Sequence, residues 1–264
     1  MGEILGREIP GAEAVTLGEW ERLLAEGIAG LGVETDAAAP ARLARYHRLL
    51  CEWNTRMNLT GDTDFTVALC RHYLDSLAPL RVEGLFARGA RLIDVGSGAG
   101  FPGLPLAIVR PDLRVTLLDA LQKRISFLSA VVEDLGLTNV RLVHARAEDG
   151  ARAPEHRERY ELAVARAVAP LPVLCELLLP FVAVGGRMLC YKGPAAQDEL
   201  EAGRRAARML GGGPLEALPV AVPGQPEWRH MVVACRKVEK TVRQYPRKAG
   251  TPGRSPLGSG DQKR

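Results

Sequence analysis

From Leu17 the apolar positions Trp20, Leu23, Leu24, Ile28 and Leu31 recur every three or four residues, the spacing of one face of an α-helix. Leu43, Tyr46, Leu50, Trp53 and Met57 repeat the pattern and predict a second amphipathic helix. Gly61-Asp62-Thr63-Asp64 supplies turn and cap chemistry before a third helical run with Val67, Cys70, Leu74 and Leu77 inward. After Gly89 the period changes: apolar runs over 91–95, 114–119, 140–143, 161–165 and 187–192 alternate with helical segments over 102–110, 122–135, 170–183 and 195–210. Such alternation predicts right-handed βαβ units in a parallel sheet. Segments 215–221 and 229–236 read as a closing hairpin, with Trp228 and His230 near its return.

These patterns divide the chain into an N-terminus over 1–16 with no periodicity, a helical cap over 17–88, an α/β domain over 89–238 and a tail over 239–264. Glycines and Pro10 predict a frayed, disordered start. Prolines, glycines and basic residues predict an extended, poorly packed tail. At 264 residues and 47% hydrophobic, the chain can bury one full core plus a smaller appendage. The net charge of +4 lies in the tail, where seven basic residues face two acids; the remainder holds 28 basic residues against 29 acids. A basic tail suits a polyanion, although a solvated terminus with no partner has the same composition. Cys51, Cys70, Cys175, Cys190 and Cys235 form no C-x-x-C, and no metal ligand set is expected. That cysteine pattern, with no signal segment or long apolar span, predicts a reducing cytoplasm and no membrane; a monomer is the expectation, although nothing in the sequence fixes the oligomeric state.

The candidate chemistry begins at Leu92-Ile93-Asp94-Val95-Gly96-Ser97-Gly98-Ala99-Gly100-Phe101-Pro102-Gly103, a strand feeding a glycine turn. Gly96, Gly98 and Gly100 free the backbone for positive φ and close approach to a ligand. A dinucleotide turn wants G-x-G-x-x-G, but Phe101 holds the sixth place and Asp94 sits two residues before the first glycine. That acid repels a pyrophosphate and suits a ligand with a cationic amino-acid end, such as S-adenosylmethionine. Val115-Thr116-Leu117-Leu118 then ends in Asp119, where an acid binds ribose hydroxyls. Ala120 and Leu121 can begin an adenine wall, and Ala147-Glu148-Asp149 after the third strand can reach the adenine edge. Each has a plainer reading: Phe101 as core, Asp119 as a helix cap, and the acids after Ala147 as a solvated loop.

Ligands in such sheets lie beyond the carboxyl ends of the strands. The fourth strand ends in Ala165-Arg166-Ala167 and the fifth in Lys192-Gly193-Pro194. A cationic, acceptor-poor site suits an acceptor atom on an anionic polymer, such as guanine N7, which carries no proton that must leave. Arg166 and Lys192 are therefore the candidates for positioning and electrostatics, with structural ion pairs as the alternative. His72 and Asp75 lie about one turn apart on the third helix, placed either to face the cleft or, as helical grounds alone favour, to form a solvent face. Asn54, Arg56 and Asn58 either cap a helix end or touch RNA.

Six ordered motifs extend the reading: Asn58-Leu59-Thr60, His72 through Leu77, Asp94 through Gly103, Val164 through Ala167, Tyr191-Lys192-Gly193, and Tyr245 through Pro252. With them the chain resembles the RsmG family, also called glucose-inhibited division protein B, over most of residues 40–257. The resemblance implies a class I S-adenosylmethionine-dependent methyltransferase fold, Rossmann-like, with a mainly parallel seven-stranded sheet. It also implies methyl transfer to N7 of a guanine in the 530 loop of 16S ribosomal RNA, free or in the 30S particle. By that implication Gly96, Phe101, Asp119 to Leu121, Ala147, Glu148 and Arg166 line the cofactor pocket, and Lys192 serves the RNA. Asn58, His72, Arg247 and Lys248 join Lys192 as RNA-binding candidates. The competing readings are a methyltransferase acting on a protein, a small molecule or another RNA; a non-enzymatic RNA-binding module; and a nicotinamide-dependent reductase, which the glycine spacing disfavours.

Overall fold

The computed structural model describes residues 2–4, 7–9 and 16–258. Seven strands form one sheet: β1 (Arg91–Val95), β2 (Arg114–Asp119), β3 (Val140–His144), β4 (Tyr160–Arg166), β5 (Val182–Lys192), β6 (Gly212–Pro219) and β7 (Met231–Lys237). Their spatial order is β3-β2-β1-β4-β5-β7-β6. The first five run parallel, while β7 is antiparallel to both β5 and β6. Strand order reverses between β1 and β4, and the crevice above their carboxyl ends is where such a sheet receives ligands.

The central strands are buried on both faces, so their successive residues enter opposite cores, while the edge strands β3 and β6 are half-exposed. Leu92 and Leu117 face one cluster, while Ile93 and Leu118 face the other. Helices α1 (Leu17–Leu31) and α2 (Ala39–Asn54) join the first cluster, where Leu24, Leu43 and Tyr46 are fully buried beside Leu104 and Phe127. The helical cap thus shares a core with the sheet. Thr16 starts α1 with a capping box, its side chain accepting from the Glu19 N–H while the Glu19 carboxylate accepts from the Thr16 N–H.

The third helical run differs from its prediction in a way that matters for function. It begins as α over Phe65–Ala68, passes through a π-helical stretch over Leu69–Leu74 and returns to α over Asp75–Leu77; this run is α3. Cys70, Leu74 and Leu77 are buried as the spacing predicts, and the wider turn broadens the buried face to include Leu69, Tyr73 and Ser76 and carries Asp75 inward with them. Helix α4 (Gly103–Val109) follows the glycine turn, α5 (Gln122–Asp134) follows β2, and α6 (Ala147–Gly150) follows β3. Helices α7 (Leu171–Leu178) and α8 (Leu200–Met209) cover the far face. Strand β5 starts earlier than predicted because Gly185 and Gly186 let it bulge past β4; a Cβ on Gly186 would sit 2.6 Å from the Glu161 carbonyl.

Both ends depart from expectation. Gly2–Ile4 pairs with Arg7–Ile9 as an antiparallel ribbon within the stretch expected to be frayed; the rest of 1–15 lies outside the described residues. The tail is packed up to Gly258. Glu176, fully buried on α7, needs a cationic partner, and Arg247 supplies two of its guanidinium nitrogens and its backbone N–H. Tyr245 and Leu257 enter the second core, and α9 (Thr251–Arg254) follows. Residues 259–264 lie outside the described part.

Candidate active site

At the carboxyl end of β1 the turn takes the conformation its glycines allow: φ is 76° at Gly96, 58° at Gly98 and 102° at Gly100. A Cβ on Gly100 would lie 2.5 Å from Leu104 Cδ1 and 2.8 Å from the Tyr46 hydroxyl, so this position has no room for another residue. The loop is tied to the neighbouring strand. Gly96 and Ser97 N–H donate to the Leu118 carbonyl, and Gly98 N–H donates to Asp119 Oδ2 at 2.9 Å.

Beneath the loop, Asp94 is buried; its Oδ2 accepts the Gly103 N–H at 2.9 Å, and its Oδ1 has no hydrogen-bond partner. Burial pushes this carboxyl up to about 7, although the Gly103 N–H and the Arg166 guanidinium both pull it down. An orphaned buried carboxylate oxygen beside a glycine cradle fits a ligand with a cationic amino-acid end. Asp119 Oδ1 accepts the Leu121 N–H, while Oδ2 accepts from Gly98 and from Arg124 Nη1. A carboxylate has about four acceptor sites, so one is left for a hydroxyl. Asp119 therefore organises the loop rather than capping the helix, whose N-cap residue is Leu121.

The glycine loop lines a chamber of about 400 Å³ with Thr60, His72, Arg124, Arg166, Ala167 and Val168. Val168, on its wall, leaves apolar surface exposed that a nucleoside can cover. Ala120 and Leu121 lie beyond β2 and do not line the chamber, nor do Ala147 and Glu148. Glu148 instead accepts the Gly250 N–H at 2.8 Å, which makes it an anchor for the tail.

A second chamber, of about 510 Å³, is lined by Asp62, Arg71, Tyr191, Lys192, Gly193, Trp228 and His230, and shares His72, Arg166 and Ala167 with the first. The partition is built from ring and guanidinium. Arg166 Cζ lies 5.1 Å from the centre of the Phe101 ring, and His72 stacks on that ring at 4.9 Å. Arg166 Nη1 donates to Asp75 Oδ2 at 3.1 Å and to the Arg71 carbonyl at 2.9 Å; Asp75 Oδ1 in turn contacts His230 Nδ1 at 2.8 Å. Ala167, next along the chain, holds φ of 57°, a left-handed conformation that a residue with a Cβ adopts at some cost. His72 Nε2 lies 3.1 Å from the Thr60 hydroxyl and 3.2 Å from the Asp62 carbonyl; the carbonyl can only accept, which favours the tautomer with the proton on Nε2 and leaves the hydroxyl to accept as well. Burial first, and then Arg166, lower the His72 pKa.

The predicted residues separate clearly. Gly96, Gly98, Phe101, His72 and Arg166 line the first chamber, and Phe101 is core as well as wall; Asp94, Gly100 and Asp119 do not line it but hold or shape its glycine loop from behind, Asp94 through the Gly103 N–H and Asp119 through the Gly98 N–H. His72 and Asp75 face the cleft, not solvent, because the π-helical stretch turns them inward. Lys192 does line the second chamber, but its ammonium is held by Glu199 at 2.7 Å and the Ala169 carbonyl at 3.0 Å, the structural ion pair that its sequence position also allowed. Arg247 is corrected as an RNA contact, since Glu176 occupies its guanidinium; Lys248 and Asn58 are exposed. Asn54 accepts from the Leu59 and Thr60 N–H groups, shaping the loop that brings Thr60 to the first chamber. The sequence reading missed Arg124, which follows Asp119 by five residues and pairs with it. It also left Trp228 and His230 without a role. Among the described residues no group of three or more His, Cys, Asp or Glu is placed to hold a metal ion, and no helix is long and apolar enough to cross a membrane.

Solved structures share this architecture. A methyltransferase of Haloferax volcanii in complex with the Trm112 activator superposes with a TM-score of 0.51 at 12% identity, covering 71% of this chain and 97% of that one. A mutant of MtNAS in complex with S-adenosylmethionine gives 0.50 at 17% identity, covering 84% and 90%. At the level of sequence, ribosomal RNA small subunit methyltransferase G of Alkaliphilus metalliredigens is 42% identical over 239 residues, 90% of this chain and 99% of that protein. Its counterpart in Lactobacillus delbrueckii subsp. bulgaricus is 44% identical over 236 residues, 89% and 98% respectively. The family model described as rRNA small subunit methyltransferase G matches residues 40–224, a span that runs from the start of α2 past β6 and contains the glycine loop, Asp119, Arg166 and Lys192. The chain belongs to the rRNA small subunit methyltransferase G family.

Proposed function

We propose that this chain methylates N7 of a guanine in the 530 loop of 16S ribosomal RNA, with S-adenosylmethionine as donor, working as a cytoplasmic monomer. The observation that carries the reading is the meeting of two chambers at Arg166 and His72, one floored by the glycine loop and the other lined by Trp228, His230 and Lys192. When bound, S-adenosylmethionine supplies a methyl group on a sulfonium, which leaves as a neutral thioether once guanine N7 has taken the methyl. Asp94 and the turn from Gly96 to Gly100 would hold the amino-acid end of the donor, Asp119 its ribose, and Val168 would cover its apolar surface.

Arg166 separates donor from acceptor without repelling a cation, because Asp75 neutralises it at 3.1 Å. Its remaining donors suit guanine O6. Guanine N7 carries a lone pair and no proton, so the residues have to align and dehydrate the reactants rather than remove a proton. His72 fits that requirement: its Nε2 is already engaged by the Thr60 hydroxyl and the Asp62 carbonyl. The base must leave its stack to enter the second chamber, and exposed Lys248 and Asn58 are candidates to hold the surrounding RNA.

The test is to incubate the protein with methyl-labelled S-adenosylmethionine and 16S RNA, offered free and in 30S particles. Label in 7-methylguanosine is expected, with a yield that falls as salt rises. Label in protein or small molecules alone would overturn the assignment.

A further inference from the structure

We propose that Trp228, stacked on His230, is the platform on which the target guanine lies, and that Asp75 holds this platform in line with Arg166. The inference rests on the function proposed above and assigns residues to its substrate side. Trp228 and His230 sit where the loop from β6 returns into β7, with ring centroids 4.7 Å apart and planes inclined by 28°. His230 Nδ1 meets Asp75 Oδ1 at 2.8 Å, and the other oxygen of the same carboxylate meets Arg166 Nη1 at 3.1 Å. A single buried carboxylate therefore sets the distance between the aromatic pair and the residue that borders the donor chamber.

The loop is fixed at its root, as a platform requires. Val220 and Val222 are buried in the core cluster that the N-terminal helices share, and the Trp228 backbone N–H donates to the Gln225 carbonyl at 3.1 Å. Trp228 itself remains partly exposed and lines the chamber of about 510 Å³, within the range of pockets that take small ligands. Base–aromatic stacking is a large contribution available to a single extruded nucleotide. It also suits the reaction. Methylation at N7 leaves the purine ring cationic, and the face of an indole attracts a cation. Asp75 is here a positioning residue, because both of its oxygens are already engaged.

The full-length protein tests this with Trp228→Ala and Trp228→Phe. Trp228→Ala is expected to lower kcat/KM for 16S RNA by roughly tenfold to hundredfold, the loss of one stacked base, with the Kd for S-adenosylmethionine unchanged. Trp228→Phe should retain most activity. In the presence of S-adenosylhomocysteine, 7-methylguanosine monophosphate should quench wild-type tryptophan emission and bind more tightly than guanosine monophosphate, and Trp228→Ala should abolish both effects. Wild-type kcat/KM in Trp228→Ala, or no preference of the wild-type protein for the methylated nucleotide, overturns the inference. The nucleotide comparison decides even if Trp228→Ala fails to fold. A wild-type protein that leaves no 7-methylguanosine in 16S RNA overturns both this inference and the function beneath it; intact methylation that ignores Trp228→Ala overturns this inference alone.

Discussion

Arg166, at the end of β4, and Asp75, on α3, meet across the seam between the sheet and the N-terminal helices, with Nη1 3.1 Å from Oδ2 and side chains only 15% and 9% exposed. The pair joins two parts of the chain that the sequence pattern treats as separate domains. Arg166 lines both chambers and Asp75 the second, so the pair is structural and functional together.

Removing one member of such a pair leaves the other buried without compensation. Arg166→Ala is expected to cost about 3–5 kcal/mol of stability and to lower kcat/KM by at least tenfold. Arg166→Lys keeps the charge but loses the planar fork, so it should recover more stability than activity. Urea denaturation set beside methyl-transfer kinetics separates the two effects; an Arg166→Ala protein with wild-type kcat/KM contradicts the assignment.

The glycine loop makes a graded prediction. Gly98 has φ of 58°, but a Cβ there would meet nothing closer than 3.9 Å, so Gly98→Ala should cost about 1–2 kcal/mol from backbone conformation alone. Gly100→Ala adds collisions with Leu104 and Tyr46 and should be the more damaging of the two, with cofactor affinity falling further. Calorimetric titration with S-adenosylmethionine and a urea series on both variants test the ranking.

Asp94 predicts a pH dependence. Its carboxyl is raised to about 7 by burial, so the folded chain keeps a proton that the unfolded chain gives up near pH 4. This residue therefore contributes stability that declines as pH rises between about 4 and 7, and cofactor affinity should climb over the same window as the carboxylate ionises. The urea midpoint of the ligand-free wild type should drop relative to Asp94→Asn between about pH 5 and about pH 8. A gap that stays constant would place Asp94 in the ordinary carboxylate range.

The tail separates two roles that composition merges. Arg247→Ala exposes the fully buried Glu176 as an unpaired charge and should cost about 3–5 kcal/mol of stability. Lys248→Ala, at an exposed position, should leave stability alone and reduce the salt slope of RNA binding by about one unit if it touches a phosphate. Equal stabilities for the two variants would contradict the packed tail.

The sheet was legible because its strands are short apolar runs with abrupt polar ends, and the glycine turn because only glycine fits at Gly100. The positions of Asp94, Asp119 and Arg166 followed from the rule that ligands gather at strand ends. What was not legible depends on partners distant in the chain. A regular 3.6-residue period cannot anticipate a π-helical stretch over Leu69–Leu74, so helical spacing favoured solvent over the cleft for His72 and Asp75. Arg247 is 71 residues from Glu176, and His230 is 155 residues from Asp75. Charge composition sees four ionisable groups there and cannot see that they are pairs.

The central claim is tested most directly by mapping 7-methylguanosine along 16S RNA after incubation with the wild-type protein and S-adenosylmethionine, with an Arg166→Ala control. The account predicts a single modified guanine in the 530 loop, greatly reduced in the control. Methyl groups at another atom or another position, or none despite bound S-adenosylmethionine, would contradict it.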